Sequence, residues 1–377
     1  MARKTVERNI SYDDERGMYY VHLDSGLDDT GKRRRSYRTF PSLRQAREAL
    51  LAFQTERAIH REVKPRTITL ADWLEYWMDQ IITPSRAETT VYGYRKIIDN
   101  HLIPALGDTP LQRLAPTQIQ RYYTMLLRDK GLSARTIHRH HDLLSSALRQ
   151  AVRQDMLVRC PTDRVEPPRV IPKEAKFYSA EDLKRLYQEC EGTWLEPIVK
   201  LAGGLGLRRE EICGLRWSSV DFEQRRIHIR EARTAAGAVI VQKETKNRSS
   251  TRTLYMTDEI YDLLHREYLR QAENKLRLGE RWPDTDLVLV NSEGVPYSPN
   301  NISAAFNRFI RKKNLPEITL HGLRHTFATV ASAQGAPLFE IGRALGHSTP
   351  STTGRIYTHL VDSTHAPTLN RVALALK

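Results

Sequence analysis

The stretch Cys160-Pro161-Thr162-Asp163-Arg164-Val165-Glu166-Pro167-Pro168-Arg169-Val170-Ile171-Pro172 holds four prolines. Proline has no amide hydrogen to donate and pushes the residue before it to extended backbone, so no helix runs through this segment. It reads as a linker over residues 163–175 that separates regions of different periodicity. Just before it, Ser133 to Gln154 carries the clearest helical pattern: Ile137, His141, Leu144, Leu148 and Val152 form an apolar stripe, and Arg135, Arg139, Arg149 and Arg153 lie off it. Earlier helices are expected from Thr69, which makes a capping box with Asp72 ahead of Trp73, Leu74, Trp77 and Ile81, from about Ala87 to Asn100, and from Thr117 to Arg128. Residues 66–162 are therefore read as an all-α domain.

Further out on the N-terminal side, Thr5 to Asp24 alternates apolar and polar residues, breaks at Gly26 and Gly31, and resumes at Arg33 to Phe40. Ser42 then caps a helix through Leu43, Ala46, Leu50 and Phe53. A small antiparallel sheet with one helix packed on it is expected over residues 1–64. Beyond the linker, Ser179 and Asp182 form another capping box, and helical segments are expected near 180–191 and 196–215. Strands at Arg226 to Arg230, at Ala238 to Gln242 after a Gly237 turn, and at Arg252 to Met256 are expected to make one small sheet, and the remainder is helical. The fold class is α+β and multidomain: a sheet-plus-helix domain, an all-α domain, and a mostly α domain over 176–377.

Composition bounds the function. The 59 Lys and Arg against 45 Asp and Glu give a net charge of +14, and the excess is spread along the chain instead of confined to a tail. This is the balance of a protein that meets a phosphate backbone. A membrane surface would ask for a basic amphipathic helix with an exposed apolar face, which is not found. No apolar run approaches the roughly 18 residues of a membrane span, and the start Met1-Ala2-Arg3-Lys4 leads into polar sequence, so a cytoplasmic protein is expected. Cys160, Cys190 and Cys213 form no C-x-x-C pair and are read as reduced core thiols.

Three places in the last domain can do chemistry. In Gly206-Leu207-Arg208-Arg209-Glu210-Glu211, an Arg opens a helix that carries Glu211 one turn later, and free N–H groups at the helix start add positive potential there. In His321-Gly322-Leu323-Arg324-His325, residues 321, 324 and 325 share one helix face, so an imidazole and a guanidinium can address the same oxygen atoms. His321 and His325 have zinc-helix spacing, but Gly322 stands where the general-base Glu is needed, and no metal site is assigned. In Leu345-Gly346-His347-Ser348, a further histidine precedes Tyr357 by ten residues.

In this order and spacing the three places resemble the tyrosine recombinase family, the phage and transposon integrases. The resemblance is most specific over about 178–360 and architectural over 1–160. It implies an arm-type DNA-binding domain (1–64), a core-binding domain (66–162) and a catalytic domain (176–377). It also implies catalytic roles for Arg208, Lys246, His321, Arg324, His347 and Tyr357, with Tyr357 the nucleophile and Glu211 orienting the groups that touch the phosphate. Lys246 lies six residues before Arg252, as the family pattern asks; Lys243, in Lys243-Glu244-Thr245, is the competitor. Arg135 and Arg139, and Lys32, Arg33, Arg34, Arg35 and Arg38, are the expected DNA contacts. The implied partners are double-stranded DNA at element ends and target site and further copies of the chain, as a tetramer on paired sites, at the nucleoid of a bacterial cell.

The chemistry implied needs no cofactor. Two arginines neutralise the charge of a pentacoordinate phosphate, and a tyrosine of reference pKa near 10 becomes nucleophilic when cations and a proton acceptor such as His321 favour the phenolate. A type IB topoisomerase-like nicking and resealing enzyme shares this logic but needs no second duplex. A non-catalytic DNA-binding regulator would leave the ordered Arg, Lys, His-x-x-Arg, His, Tyr set unexplained.

Overall fold

The computed structural model describes residues 4–27, 33–59, 68–171, 176–244 and 251–346. Its first elements are the strands β1 (Lys4–Glu7), β2 (Ile10–Asp13), β3 (Met18–Leu27) and β4 (Arg33–Phe40), an antiparallel sheet in the order β1-β2-β3-β4. The alternation from Thr5 to Asp24 is thus three strands, turned at Asn9 and Gly17, both with positive φ. Gly26 does not end a strand as expected. It pairs with Arg34 at a register shift inside β3, a bulge where a residue without Cβ is cheapest. Helix α1 (Leu43–Ile59) is capped by the Ser42 hydroxyl, which accepts from Gln45 N–H at 3.3 Å. Its residues Ala46, Leu43, Leu50 and Phe53 pack on Ile10, Val21 and Leu23.

The all-α part begins with the expected capping box: Thr69 Oγ1 accepts from Asp72 N–H at 3.2 Å, and Asp72 accepts from Thr69 N–H at 2.8 Å. Helix α2 (Leu70–Trp77) runs through a π-helical turn, Met78–Ile82, into α3 (Thr83–Ser85). Helix α4 (Glu88–Ile97) likewise passes through a π turn, Ile98–Leu102, into α5 (Ile103–Leu106), so this helix goes beyond the expected end at Asn100. Each π turn immediately precedes a short helix with proline at its second position, Pro84 and Pro104. Proline lacks the N–H for the i−4 carbonyl and its ring crowds that carbonyl; a widened turn relieves both problems without breaking the rod. Helices α6 (Pro116–Arg128) and α7 (Ala134–Arg153) complete this part around buried Trp73, Trp77, Ile119, Leu144 and Leu148. Trp73 Nε1 donates to Ala147 O at 3.0 Å, tying α2 to α7. The buried face of α7 is wider than the expected stripe: His140, not counted in it, is 1% exposed and bonded through Nδ1 to Tyr122 at 2.7 Å. Burial, aided by His101, lowers its pKa to about 4, so it sits in the core as a neutral ring.

Backbone contacts divide the chain into two units, Met1–Ile171 and Pro172–Lys377. In the second, α8 (Ala180–Cys190) starts at Ser179, whose hydroxyl accepts from Asp182 N–H at 3.1 Å. The expected 196–215 helix is two: α9 (Glu196–Leu205) ends at Gly206, whose φ of +65° is left-handed, and α10 (Arg209–Gly214) restarts after it. The single small sheet expected here is also two. Strands β5 (Val220–Asp221), β6 (Arg226–Ile229) and β9 (Arg252–Tyr255) form one antiparallel sheet in the order β5-β6-β9, while β7 (Glu231–Ala236) and β8 (Val239–Glu244) form a separate hairpin about Gly237. Strand β7, Glu-Ala-Arg-Thr-Ala-Ala, has no apolar alternation to announce it and was missed. Helices α11 (Asp258–Leu278), α12 (Pro299–Lys312), α13 (Leu320–Ala333) and α14 (Leu338–Leu345) enclose a core of Ile198, Val199, Leu264, Ile302, Phe306 and Leu323.

Candidate functional site

The left-handed turn at Gly206 is the first device that builds the site. A Cβ there would lie 2.7 Å from both Phe327 Cδ1 and Leu345 Cδ2, so only glycine lets α9, α13 and the end of α14 meet. Its carbonyl accepts from Arg324 Nη1 at 2.7 Å. Two residues on, Arg208 has extended backbone and caps α10, and Glu211 reaches back to it, accepting from the Arg208 N–H at 2.9 Å and from Nη1 at 2.7 Å. Of the backbone N–H groups at the helix start, that of Arg208 is therefore taken by Glu211.

Glu211 is 2% exposed, and a second guanidinium completes its pairing. Arg252, the first residue of β9, donates from Nη1 to Oε1 at 3.0 Å and from Nη2 to Oε2 at 2.9 Å. Burial would raise the Glu211 carboxyl, but the hydrogen bonds and charge of Arg252, followed by those of Arg208, outweigh it and hold the pKa below the ordinary value. Sequence reasoning used Arg252 only as a spacing marker for Lys246. Its signal was there: an Arg on a strand whose next inward residue is Leu254 must bury its own stem.

All three arginines also close on the end of α14. Arg252 Nε donates to Ala344 O at 2.6 Å, Arg324 Nη2 to Leu345 O at 2.5 Å, and Arg208 Nη2 to Gly346 O at 3.2 Å. The last carbonyls of a helix lack intrahelical partners and carry the negative end of its dipole, so three cations there satisfy both needs. The arginines differ in access: the Arg208 side chain is 31% exposed and that of Arg252 7%, while Arg324 is 2% exposed as a residue.

His321 lies in the first turn of α13, which Thr319 caps by accepting from Gly322 N–H at 3.0 Å. Its ring meets that of His325 edge-on, with centroids 4.8 Å apart, at a cleft of about 430 Å³ lined also by Ile310, Leu315 and Ile318. The His321 pKa is lowered, first by desolvation and then by the Arg324 and Arg208 charges, with Glu210 acting in the opposite direction. His321 remains an exposed residue, which limits that shift. His325 is pushed down to about 4, chiefly by burial. Both shifts favour the neutral ring, the form that can accept a proton.

The structure thus brings together Arg208, Glu211 and Arg324, with His321 on the helix that carries Arg324. Lys246, His347 and Tyr357 lie outside the described residues, as does Lys32. Of Arg33 and Arg34 only the backbone is described, in β4. Arg35 and Arg38 are exposed but pair with Asp24 and Val21 respectively, so they point to opposite faces of the sheet. Tyr37, which sequence reasoning passed over, shares the Arg35 face and is 61% exposed. Arg135 and Arg139 stand exposed one turn apart at the start of α7. Among the described residues, no group of three or more His, Cys, Asp or Glu is placed to hold a metal, and no helix is long and apolar enough to cross a membrane.

In the DNA-free protein, NMR titration of His321 should give a midpoint below 6.5. Replacing Arg208 by Gln should raise it and replacing Glu210 by Gln should lower it further; a midpoint at or above 6.5 would contradict the electrostatics described.

The sequence pattern of the phage integrase family matches residues 176–364, and that of the phage integrase N-terminal SAM-like domain matches residues 69–127. A tyrosine recombinase XerC-like protein of Caldanaerobacter subterraneus subsp. tengcongensis is 25% identical over 384 residues, covering 96% of each chain. Among solved structures, the Tn1549 transposon integrase bound to transposon right end DNA superposes with a TM-score of 0.66 at 21% identity, over 81% of this chain and all of that one. A lambda integrase tetramer bound to a Holliday junction gives 0.58 at 18%, over 94% and 96%. With the family pattern spanning half of its length and the integrase fold around it, this chain belongs to the phage integrase family and is a tyrosine recombinase.

Proposed function

We propose that this recombinase exchanges DNA strands at the ends of a mobile element through a 3′-phosphotyrosyl intermediate. The observation that carries the reading is the arginine cluster about Glu211, which presents a partly open Arg208 guanidinium beside a neutral histidine within the residues that match the family. Arg208 and Arg324 neutralise the scissile phosphate, and His321 accepts the Tyr357 proton. The Tyr357 Oη attacks phosphorus, the bond to O5′ breaks, and Lys246 protonates the departing oxygen. His347 adds a second imidazole to the phosphate. The phosphotyrosyl bond conserves the phosphodiester, so a 5′ hydroxyl from another duplex reverses the step without ATP. The relative cited above is named a recombinase and the solved neighbours integrases, so the topoisomerase and regulator alternatives are not favoured.

Division of labour follows the fold. Residues 176–377 supply catalysis, and the helical region of 66–162 holds the core site through Arg135 and Arg139. Residues 1–64 hold a separate DNA segment through Lys32 to Arg35, Arg38 and the Arg35 and Tyr37 face. Strand exchange needs four active sites on two duplexes, and the lambda neighbour was solved as a tetramer, so a tetramer is the assembly proposed here.

Replacing Tyr357 by Phe should leave binding to a nicked duplex carrying the element ends unchanged and abolish the covalent adduct. An adduct that persists would assign the nucleophile to another of the 16 tyrosines. A duplex with sulfur at the 5′ bridging position needs no proton on leaving, so it should restore cleavage by Lys246→Ala and leave Arg208→Ala inactive. Rescue of Lys243→Ala in place of Lys246→Ala would move the acid to Lys243. A 1–64 fragment should bind a repeat in the element ends with strong salt dependence, each lost phosphate contact lowering the log–log slope by about 0.9. Equal binding to random DNA, with a 65–377 fragment recombining full ends normally, would end the arm assignment.

A further inference from the structure

Arg252 has no part in the chemistry just described, and its side chain, 7% exposed, is closed to solvent. Yet within the described residues it bonds twice to Glu211 and to Ala344 O. Resting on the recombinase reading, we propose that Arg252 is a positioning residue that neutralises Glu211 so that the Arg208 charge remains available to the DNA phosphate.

The argument is one of charge. Glu211 grips Arg208 from two sides, through the backbone N–H and Nη1. That grip orients the guanidinium, but a carboxylate and a guanidinium alone sum to zero, and a phosphate approaching a neutral pair gains little. The carboxylate is buried, so water cannot screen it. Arg252 meets both carboxylate oxygens in a fork, the strongest and most directional arrangement available to these groups. Glu211 with Arg208 and Arg252 then carries a net single positive charge. Of the two guanidiniums, only Arg208 keeps an open side, so that charge is displayed there. Orientation by Glu211 and attraction by Arg208 conflict unless a second cation is present.

The bond to Ala344 O adds a positional role. Ala344, Leu345 and Gly346 each hold one arginine, and Gly346 is the residue before His347. Arg252 sits at the start of β9 and so registers that strand against the end of α14. Lysine at 252 would keep the charge but lose the fork. Methionine would fill a similar volume and lose both.

The test uses full-length protein and a nicked suicide duplex built from the element ends, with single-turnover adduct formation and duplex binding measured separately. Adduct formation by the unaltered protein establishes the recombinase reading first; its absence would overturn that reading and, with it, the role proposed for Arg252. Given that adduct, Arg252→Met should slow its formation at least 100-fold with duplex binding changed less than threefold. Arg252→Lys, which keeps the charge and serves if the methionine variant does not fold, should stay within about tenfold of the unaltered rate. The decisive variant is Arg252→Met combined with Glu211→Gln: removing the carboxylate charge removes the need for its counter-cation, so the double variant should recover at least tenfold over Arg252→Met. A merely structural Arg252 would make the double variant as slow as the single or slower. That result, an unaltered rate in Arg252→Met, or an Arg252→Lys variant that folds and is as slow as Arg252→Met, would each overturn the proposal.

Discussion

A carboxylate withdrawn from water has to be met by positive charge and hydrogen bonds from every side, and Glu211 is that group in this protein. Its two oxygens receive four donors, two from Arg208 and two from Arg252. Those donors start from the turn into α10 and from β9, and the same arginines continue to the end of α14, where Arg324 of α13 joins them. Four elements far apart in sequence are thereby referred to a single point. Loss of any one donor would leave a buried carboxylate oxygen short of a hydrogen bond and loosen the element that supplied it, and this makes the cluster cooperative and not a list of separate bonds.

Much of this architecture can be read from the sequence because local chemistry decides it. The capping residues Ser42, Thr69 and Ser179 each accept the expected N–H bond, since a short side chain with an oxygen ahead of an apolar stripe has few better uses. Spacing puts Glu211 one turn after Arg208, and His321 and Arg324 on one helix face; that the two pairs belong together is what the family resemblance implies. What the sequence does not display are features set by distant partners. Arg252 is an ordinary strand arginine until Glu211 and Ala344 are beside it. Strand β7 has no alternation because it belongs to a hairpin that buries little: only Ala236 of its six residues is buried. His140 is not counted in the stripe because its partner, Tyr122, comes from another helix. Arg35 and Arg38 look like one basic run and prove to face opposite ways, because strand geometry alternates while charge counting does not.

The first region shows how polar groups are tolerated in a core that must also carry a basic exterior. Tyr122 and Tyr123, adjacent on α6, pair with His140 and His141, adjacent on α7, at 2.7 and 3.0 Å. Each tyrosine ring brings apolar area together with one hydroxyl, and each hydroxyl finds a histidine Nδ1, so the helices are locked in register as well as packed. The exposed arginines of α7 then occupy fixed positions on a rod that cannot rotate.

The two π turns have a further meaning for how this chain can change length. A π turn holds about one residue more than the α turn it replaces, so each marks a place where a single residue can enter or leave with the helices on both sides still formed. Because each widened turn lies directly before a proline, residue and turn are coupled: deleting one residue from Met78–Ile82 would tighten the turn onto Pro84 and force a kink. Deletion together with replacement of the proline would restore a plain α-helix and leave what lies beyond it on the same face, because the residue removed is the one that the wide turn had absorbed. In this region, insertions and prolines should therefore be gained and lost in pairs.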